Sequence, residues 1–476
     1  MSWSPSAGFS AEGALLYPYG QVAEVGIERN IIRMRIGIHS NFEPSSGEAG
    51  MNNCLETSQS LADTTLGRVD SRCRLCGASL PSPFLDLGQQ PLCESILRQD
   101  QLNEMEPFFP LVVYVCNKCM LVQLDQYVSP DHIFTEYAYF SSYSDSWLKH
   151  SKAYVRMATD RFGLGPNSLA IELASNDGYL LQYFSEHGVP VLGIEPAANV
   201  AKAASEKGIP TLVKFFGVRT AEEQLANGTA ADLLIGNNVL AQVPDLHDFV
   251  EGMRIILKLH GRITMEFPHL MRLLESNQFD TIYHEHFSYF SLAVVEKLFS
   301  EHGLKVFDVE ELPTHGGSLR IYGCHQSYSE EPSRRLEDLR RRVIDFGLDH
   351  LQCYASFAER VKETKWKLLE FLITAKRQGR QIAGYGAPGK GNTLLNYCGI
   401  RTDFVDYVVD RNPYKQGKFL PGTHIPIFHP DRLKETRPDL VLILPWNVKA
   451  EIMSQISYIR EWGGKFIVPI PEVQTS

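Results

Sequence analysis

The chain has 476 residues, with 46 basic and 56 acidic side chains and a formal net charge of −10. This balance provides no basic field for nucleic-acid phosphates, so no nucleic-acid partner is expected. Hydrophobic residues make up 44% and charged residues 21%, which excludes a chain disordered throughout. The longest apolar runs span about six residues, as in Leu111–Cys116, against the roughly 20 that a membrane helix needs, so no membrane partner is expected.

Residues 1–66 are predicted to be a disordered or misassigned N-terminal extension. They contain no Lys but seven acidic residues, unlike an acid-poor transit peptide, and no apolar stretch follows a basic start. Met51 is followed by a more ordinary protein start. The odd total of nine cysteines in a long chain favours a reduced, cytoplasmic protein over a secreted disulfide framework.

Residues 67–128 are predicted to be a small zinc-binding module. The four candidate zinc ligands form two CxxC pairs: Cys73, Cys76, Cys116 and Cys119. Four thiolates from two tight turns close a tetrahedral structural site, whereas a redox motif would need only one pair. The 39 residues between the pairs must fold as an insertion. The isolated cysteines, Cys93 among them, are predicted to be small buried apolar residues.

Residues 129–329 are predicted to form a doubly wound α/β domain. Apolar runs alternate here with amphipathic stretches, a pattern typical of parallel strands joined by helices. The predicted strands are Leu169–Leu173, Val191–Ile194, Asp232–Ile235 and Arg262–Met265. The predicted helices are Tyr179–His187, Ala198–Lys207 and Leu246–Lys258.

Residues 330–377 are predicted to be a helical connector, because one apolar stripe recurs at helical spacing. The stripe consists of Leu336, Leu339, Val343 and Phe346. The heptad repeat of this stripe is not sustained, which disfavours a coiled coil.

Residues 378–476 repeat the strand–helix alternation and predict a second Rossmann-like α/β domain. The predicted strands there are Ile382–Tyr385, Val405–Val409, Leu440–Leu444 and Phe466–Val468.

A first ligand site is predicted where the strand in Ala-Ile-Glu-Leu-Ala-Ser-Asn-Asp-Gly, residues 170–178, leads into a helix. Glu195 ends the next strand, where a carboxylate can bind both hydroxyls of a ribose. The loop lacks GxGxxG and Asp177 disfavours a diphosphate, so S-adenosylmethionine fits better than NAD. An ordinary turn after a strand-end acid remains the alternative. The predicted donor-binding residues are Glu172, Ala174, Ser175, Asn176, Asp177, Gly178, Glu195, Asn237 and Asn238.

A glycine-rich loop, Gly384-Tyr-Gly-Ala-Pro-Gly-Lys-Gly-Asn, follows a predicted strand of the C-terminal domain. Backbone N–H groups at the next helix start and the Lys390 ammonium could bind a pyrophosphate. The loop is not a P-loop, because Gly391 follows Lys390. Asp410, after the second strand, could bind a ribose, which keeps a nucleotide-dependent oxidoreductase open. A glycine-rich turn without a ligand is a further alternative.

Three segments together resemble the sugar C-methyltransferase family: Tyr283-His-Glu-His-Phe-Ser-Tyr-Phe-Ser291, His315-Gly-Gly-Ser-Leu-Arg320 and residues 384–397. The resemblance runs from about Cys73 to Val473 and includes the Tyr-Ala-Tyr-Phe-Ser-Ser segment at 137–142. It implies a zinc module, a central Rossmann-like class I S-adenosylmethionine domain and a C-terminal α/β domain, with the substrate between the last two. Family members methylate a carbon of nucleotide-linked keto-deoxysugars, so this chain is expected to be such an enzyme of deoxysugar biosynthesis.

The resemblance also implies residue roles. His286 matches the family's candidate base, and Tyr283, Glu285 and Tyr139 match its substrate-pocket residues. Further candidates for substrate binding are Gln242, His315, Arg320, Gly386, Lys390 and Asn392. Gln242 stands where the family has a histidine, so an acid–base role is lost there while hydrogen bonding can survive.

The required chemistry agrees with these residue types. A sugar carbon becomes nucleophilic only after losing a proton beside a carbonyl, and histidine is suited to remove it near neutral pH. A Tyr hydroxyl could stabilise the enolate oxygen. A metal pair is the alternative for the His-Glu-His cluster, although its spacing is not that of a zinc helix. Two other functions stay open: a methyltransferase of non-sugar ketones and a non-catalytic nucleotide-sugar-binding protein. The sequence does not decide between a monomer and a homodimer.

Overall fold

Three β-sheets follow one another in the computed structural model, which describes residues 71–80, 83–129, 133 and 140–476. They lie within one unit, Gly67–Ser476. The prediction for residues 1–66 and the predicted pocket residue Tyr139 fall outside the described residues. Over the described ranges, no helix is long and apolar enough to cross a membrane.

The bounds of the elements are as follows. The strands, β1 to β17 in chain order, are Pro83–Gln90, Phe109–Val115, Val122–Leu124, Ala170–Leu173, Val191–Ile194, Thr211–Leu212, Ala231–Asn237, Leu257–Pro268, Ser288–Tyr289, Leu304–Leu312, Ser318–His325, Ile382–Tyr385, Tyr407–Val409, Ile427–Phe428, Leu440–Ile443, Lys465–Val468 and Gln474–Thr475. The α-helices of the described ranges, α1 to α13, are Asp145–Phe162, Leu181–Glu186, Ala198–Glu206, Val218–Ala226, Leu246–Ile256, Leu270–Glu275, Leu292–Glu301, Arg334–Phe346, Gln352–Ala355, Phe357–Arg377, Gly389–Cys398, Arg432–Thr436 and Lys449–Gln455.

The first sheet, in the order β1-β2-β3-β9, is antiparallel and connects distant parts of the chain. Its first three strands come from the cysteine-bearing segment. The fourth, β9, follows directly after residues 283–286, and Val122 pairs with Tyr289 while Gln123 pairs with Ser288. The cysteine-bearing segment therefore holds the chain that carries the predicted base.

The central sheet has the order β10-β11-β8-β7-β4-β5-β6. Strands β4 to β8 are parallel, and β11 runs antiparallel to both β8 and β10. Strand β4 is buried along its whole length, because helices cover both faces of the sheet. The predicted strand Val191–Ile194 agrees with the observed one at both ends, and the other three overlap the observed strands.

The C-terminal sheet has the order β14-β13-β12-β15-β16-β17 and is parallel except at β17. The predicted strand Ile382–Tyr385 is confirmed at both ends. The strand predicted from Val405 begins at Tyr407 instead, because the Val405 N–H bonds back to Arg401 O in a turn.

The predicted helical connector is present as three helices, α8, α9 and α10. Three residues of the predicted apolar stripe are buried: Leu336, Leu339 and Val343. Helix α8 begins where Ser333 Oγ accepts the Leu336 N–H, and it ends at Gly347 with φ 81°, a conformation that favours glycine.

Candidate active site

A cavity of about 800 Å³ is bounded by residues of the central sheet and of the C-terminal sheet. On the central sheet the lining follows the carboxyl ends of β4, β5 and β7, and on the C-terminal sheet those of β12, β13 and β15. Ligands of doubly wound folds bind at such strand ends. The predicted site residues that line it are Ala174, Asn176, Glu195, Asn237, Asn238, Gln242, Tyr283, Glu285, His286, His315, Gly386 and Lys390. Those that do not are Glu172, Ser175, Asp177, Gly178, Arg320 and Asn392.

Glu195 lies at the end of β5, and both of its carboxylate oxygens accept backbone hydrogen bonds. Oε2 accepts from Asn176 N at 2.8 Å, and Oε1 accepts from Ala197 N at 2.9 Å. Burial raises the pKa of Glu195 to about 7, against the opposing effect of these two N–H groups. The carboxylate therefore holds the loop after β4 in place while still lining the cavity.

The loop after β4 has an unusual backbone. Ala174, Asn176 and Gly178 have φ values of 54°, 49° and 74°. A non-glycine residue in this region is strained by about 1–2 kcal/mol, which applies to Ala174 in particular because asparagine tolerates this conformation better than alanine. On Gly193 of the neighbouring strand, a Cβ would come within 2.4 Å of Ser175 Oγ. This close approach keeps the loop against β5.

Two buried acids belong to this part of the chain, Glu172 at the end of β4 and Asp177 in the loop itself. Glu172 is fully buried, and neither carboxylate oxygen has a hydrogen-bond partner in the described part of the chain. Burial raises the pKa of Glu172 well above its usual range, and the nearby Tyr179 hydroxyl opposes this only in part. Asp177 instead pairs with Lys207 Nζ at 2.9 Å. Glu172 is therefore a buried acid beside the Tyr179 hydroxyl, and it does not line the cavity.

His286 is buried, lines the cavity and has a defined tautomer. Its Nδ1 lies 3.2 Å from Thr281 O, and because a carbonyl only accepts, Nδ1 carries the hydrogen. The other nitrogen, Nε2, has no partner among the described residues and is left with the lone pair. Burial lowers the pKa of His286 to about 3, so the imidazole is neutral at ordinary pH. The Tyr283 ring lies 4.2 Å from the imidazole, centre to centre.

Glu285 contacts Cys93 of the cysteine-bearing segment, which was predicted to be a small buried apolar residue. Cys93 is buried as predicted, but its Sγ lies 3.6 Å from Glu285 Oε1 and it lines the cavity. Burial raises the pKa of Cys93 well above its usual range, so the thiol is protonated and donates. The neighbouring Glu94 accepts a hydrogen bond from Lys415 at 2.7 Å. No spacing rule in the sequence could indicate these contacts between distant segments.

Two predicted substrate-binding residues are committed elsewhere in the protein. Arg320 is buried, donates to Glu266 at 2.7 Å and lies over the Tyr154 ring at 4.5 Å. Asn392 accepts a hydrogen bond from Asn396 Nδ2 at 3.2 Å, through its side-chain oxygen. His315 does line the cavity, where its Nε2 lies 3.0 Å from Asn238 Nδ2.

The four predicted zinc ligands come together. The Sγ atoms of Cys73 and Cys119 lie 3.5 Å apart, as do those of Cys76 and Cys116, and all four lie within 4.8 Å of one another. A tetrahedral site with Zn–S bonds of about 2.3 Å needs sulfur atoms roughly 3.8 Å apart, so the cluster fits zinc. Gln123 Nε2 donates to Cys73 Sγ at 3.2 Å, as groups outside a zinc site commonly do.

The cysteine cluster is anchored to the predicted catalytic segment. Arg74, inside the first CxxC pair, donates to Leu124 O at 2.8 Å and also to Phe287 O. His284 Nε2 lies 3.1 Å from Pro110 O, on β2. Both contacts fasten residues 284–287 to the module that the cluster organises, although the cluster does not line the cavity.

Three family models match consecutive parts of the chain. A zinc binding domain matches residues 73–134, a methyltransferase domain matches residues 147–309, and a C-methyltransferase C-terminal domain matches residues 313–471. C-methyltransferase NovU of Streptomyces niveus is 36% identical over 405 residues, which cover 85% of this chain and 96% of that protein.

Two solved structures of methyltransferases each cover 38% of this chain. The geranyl diphosphate C-methyltransferase of Streptomyces coelicolor is 14% identical, covers 38% of this chain and 83% of its own, and has a TM-score of 0.29. Magnesium protoporphyrin IX methyltransferase of Synechocystis is 13% identical, covers 38% and 78%, and has a TM-score of 0.28.

The central sheet has one reversed strand, and the cavity lies at the carboxyl edge of its parallel strands. Together with the family matches, these features define a class I S-adenosylmethionine-dependent methyltransferase with an N-terminal zinc module. The chain belongs to the C-methyltransferase family. S-adenosylmethionine and zinc are accordingly its cofactors. At the carboxyl edge of the central sheet, Glu195 lines the cavity and accepts the N–H groups of Asn176 and Ala197.

Proposed function

We propose that this C-methyltransferase acts on a nucleotide-linked keto-deoxysugar and transfers the methyl group to a carbon next to the ketone. One observation carries the proposal: a single cavity reaches from Glu195 on the donor side, past His286, to Asp410 on the C-terminal sheet. Its volume of about 800 Å³ is near the upper end for ligand pockets, so it suits two substrates.

The proposed base is His286. Its Nδ1–H is held by Thr281 O, which leaves the Nε2 lone pair to accept the proton next to the ketone. Burial keeps the imidazole neutral and able to accept a proton at ordinary pH, and the same shift makes it a weaker base than the near-neutral histidine expected from the sequence. When bound, S-adenosylmethionine supplies the methyl group to the resulting carbon nucleophile. Tyr283, in ring contact with His286, is proposed to position the sugar.

The nucleotide part of the proposal is supported by Asp410. Its Oδ2 accepts from Ala387 N at 2.7 Å and its Oδ1 accepts from Asn412 N at 2.7 Å. Glu195 makes the same two kinds of contact, one to the preceding strand's loop and one two residues onward. A carboxylate held in this way at a strand end is suited to bind the sugar hydroxyls of a nucleoside.

The substrate class is tested by methyl transfer from S-adenosylmethionine to a panel of nucleotide-linked 4-keto sugars. We expect turnover with at least one member, together with deuterium exchange from solvent at the methylated carbon before the donor is added. The same sugars without the nucleotide and simple non-sugar ketones serve as controls. Turnover of the non-sugar ketones alone contradicts the proposal. Donor binding without any turnover favours a non-catalytic nucleotide-sugar-binding protein.

The donor role of Glu195 predicts a pH-dependent affinity. Ribose hydroxyls donate best to an ionised carboxylate, and with its pKa near 7 Glu195 loses its charge as the pH falls through that value. Affinity for S-adenosylhomocysteine should therefore rise between about pH 6 and 8. Glu195→Ala should weaken binding by about 1.5–3 kcal/mol, and Glu195→Gln should remove the pH dependence.

Calorimetry with S-adenosylhomocysteine measures both effects. Glu206→Ala, which removes an exposed acid from the adjacent helix, is the matched control and should bind like the unaltered protein. Equal affinity of Glu195→Ala and the unaltered protein would show that the ribose binds elsewhere.

A further inference from the structure

A cluster at the wall of the cavity surrounds the Lys390 ammonium, in the first turn of α11. Its Nζ donates to Asn447 Oδ1 at 2.9 Å and lies 4.8 Å from the centre of the Trp446 ring. Trp446 Nε1 in turn donates to Asp280 Oδ2 at 2.6 Å. The other Asp280 oxygen is buried and has no hydrogen-bond partner in the described ranges. The cation thus lies among an aromatic face, an amide and a buried acid.

The helix that carries Lys390 is fastened to the segment that carries the predicted base. Thr393 Oγ1 donates to Ile282 O at 3.1 Å. The Phe279 and Tyr397 rings lie 5.4 Å apart in an edge-to-face contact. These contacts fix the start of α11 relative to residues 279–286.

Lys390 consequently lies near the centre of the proposed reaction. Burial lowers the pKa of both His286 and His315, and the Lys390 charge lowers each of them further, an effect that falls with distance. On Gly316, a Cβ would come within 2.5 Å of the Trp446 ring, so the turn that carries His315 packs directly on the same cluster. All three side chains, Lys390, His286 and His315, line one cavity.

Acidic side chains disfavour a pyrophosphate at the start of α11, where the sequence indicated that one could bind. Asp410 already accepts the Ala387 N–H, which is one of the donors a phosphate would need. On Gly389, a Cβ would lie 2.8 Å from Cys93 Sγ and 3.5 Å from Glu94 Oε1. Two carboxylates, Asp410 and the Lys415-paired Glu94, therefore adjoin the helix start, and Asp410 competes with an anion for the N–H groups there.

We propose that Lys390 is a catalytic residue whose ammonium binds the substrate's keto oxygen and stabilises the enolate formed when His286 removes the neighbouring proton. This rests on the proposed function. Apart from Asn447, Lys390 has no hydrogen-bond partner in the described part of the chain, so N–H groups remain for that oxygen. A fixed donor at a developing oxyanion is among the strongest catalytic effects, since it needs no reorganisation during the step.

The electron flow balances. The proton goes to His286 Nε2, the C–H pair becomes the C=C bond, and the carbonyl pair moves to the oxygen beside Lys390. The enolate carbon then attacks the methyl carbon of the sulfonium donor, the C–S pair stays on sulfur, and the C=O bond forms again. The proton on His286 leaves to solvent. The products are the C-methylated ketone and S-adenosylhomocysteine.

A pH dependence follows from the surroundings of Lys390. Burial lowers its pKa to about 8, and Asp280 opposes this shift. The groups that face it are Asp280, Trp446, Asn447, His286 and His315. Of the titratable ones, burial raises the pKa of Asp280 to about 6 and lowers the pKa of His286 to about 3 and that of His315 to about 4. Lys390 alone among these groups changes charge near pH 8, so exchange of the substrate proton should slow as the pH rises through that value.

The test compares Lys390→Met and Lys390→Arg with the unaltered protein. Met keeps length and packing on Trp446 but removes the charge, whereas Arg keeps the charge. The readouts are solvent-deuterium exchange next to the ketone without donor, kcat, and calorimetric binding of uridine and thymidine diphosphates. S-adenosylhomocysteine binding checks that each variant is folded.

We expect Lys390→Met to lose exchange and kcat by about 10²–10³-fold, as on removal of an oxyanion donor, and to lose the alkaline fall near pH 8. Nucleoside diphosphate affinity should change less than about twofold, and Lys390→Arg should recover part of the exchange. A loss of diphosphate affinity with normal exchange at saturating substrate would overturn the proposal and restore the pyrophosphate role. Absence of the alkaline fall in the unaltered protein would also overturn it, while absence of any exchange there would reject the substrate class itself.

Discussion

Replacing His286 with Asn is expected to lower kcat by about 10²–10⁴-fold, the usual contribution of a general base. An Asn amide can still donate to Thr281 O in place of Nδ1–H, so the local fold should persist. It offers no nitrogen lone pair to accept the substrate proton at neutral pH. Exchange of that proton with solvent deuterium, measured without donor, should fall by the same factor as kcat.

His284→Gln is the matched control for this substitution. His284 is also buried and lies two residues away, but it does not line the cavity, and its Nε2 faces Pro110 O. A Gln amide can keep that contact, so kcat should stay within a few-fold. If His286→Asn exchanges the proton at the original rate, another group is the base, and Glu285 becomes the next residue to test.

The low pKa of His286 adds a second check. The imidazole becomes charged only as the pH falls towards about 3, so it imposes no acid limb on kcat/KM between about pH 5 and 7. The pKa of Glu195 is raised instead, to about 7, because the carboxyl is buried. Its protonation below that pH weakens binding of the methyl donor and leaves the chemical step unchanged. At saturating donor, the acid side of the profile should therefore flatten.

The sheets could be predicted from the sequence because their strands are buried on both faces and read as apolar runs. Ala170–Leu173 and Ile382–Tyr385 are of this kind, and both were predicted to within one residue. Their carboxyl ends also located the two acids at the cavity, Glu195 and Asp410, since parallel strands end at one edge of the sheet.

The contacts between segments could not be predicted in this way. The two-residue strand Ser288–Tyr289 is too short to show a period, yet it adds the cysteine-bearing sheet to the catalytic segment. Cysteine is a residue type common in protein cores, so nothing in the sequence marks Cys93 as a contact of Glu285. The fold brings the two side chains together. The surroundings of Lys390 are equally non-local, because Trp446 and Asn447 come from one turn and Asp280 from another, both distant from Lys390 in the chain.

Loss of zinc should abolish methyl transfer while leaving donor binding largely intact. Structural zinc contributes roughly 10–16 kcal/mol to the folding of small zinc domains, as much as or more than the whole stability of a typical domain. Without it the β1–β3 sheet should not persist, and residues 284–289 lose their contacts with Arg74, Pro110 and β3. His286 is then no longer held at the cavity. The donor loop is held by Glu195 and the central sheet, which do not depend on the cluster.

Elemental analysis of the pure protein should find about one zinc per chain. Cys116→Ala should lose the metal and lower kcat by at least about 10²-fold, the minimum effect of displacing the base. Cys353→Ala, the same substitution at a half-buried position of the connector, should change neither zinc content nor kcat. S-adenosylhomocysteine should bind Cys116→Ala within a few-fold of its normal affinity. A zinc-free protein with four reduced thiols and full activity would contradict this account, because the catalytic segment would then be held in place without the cluster.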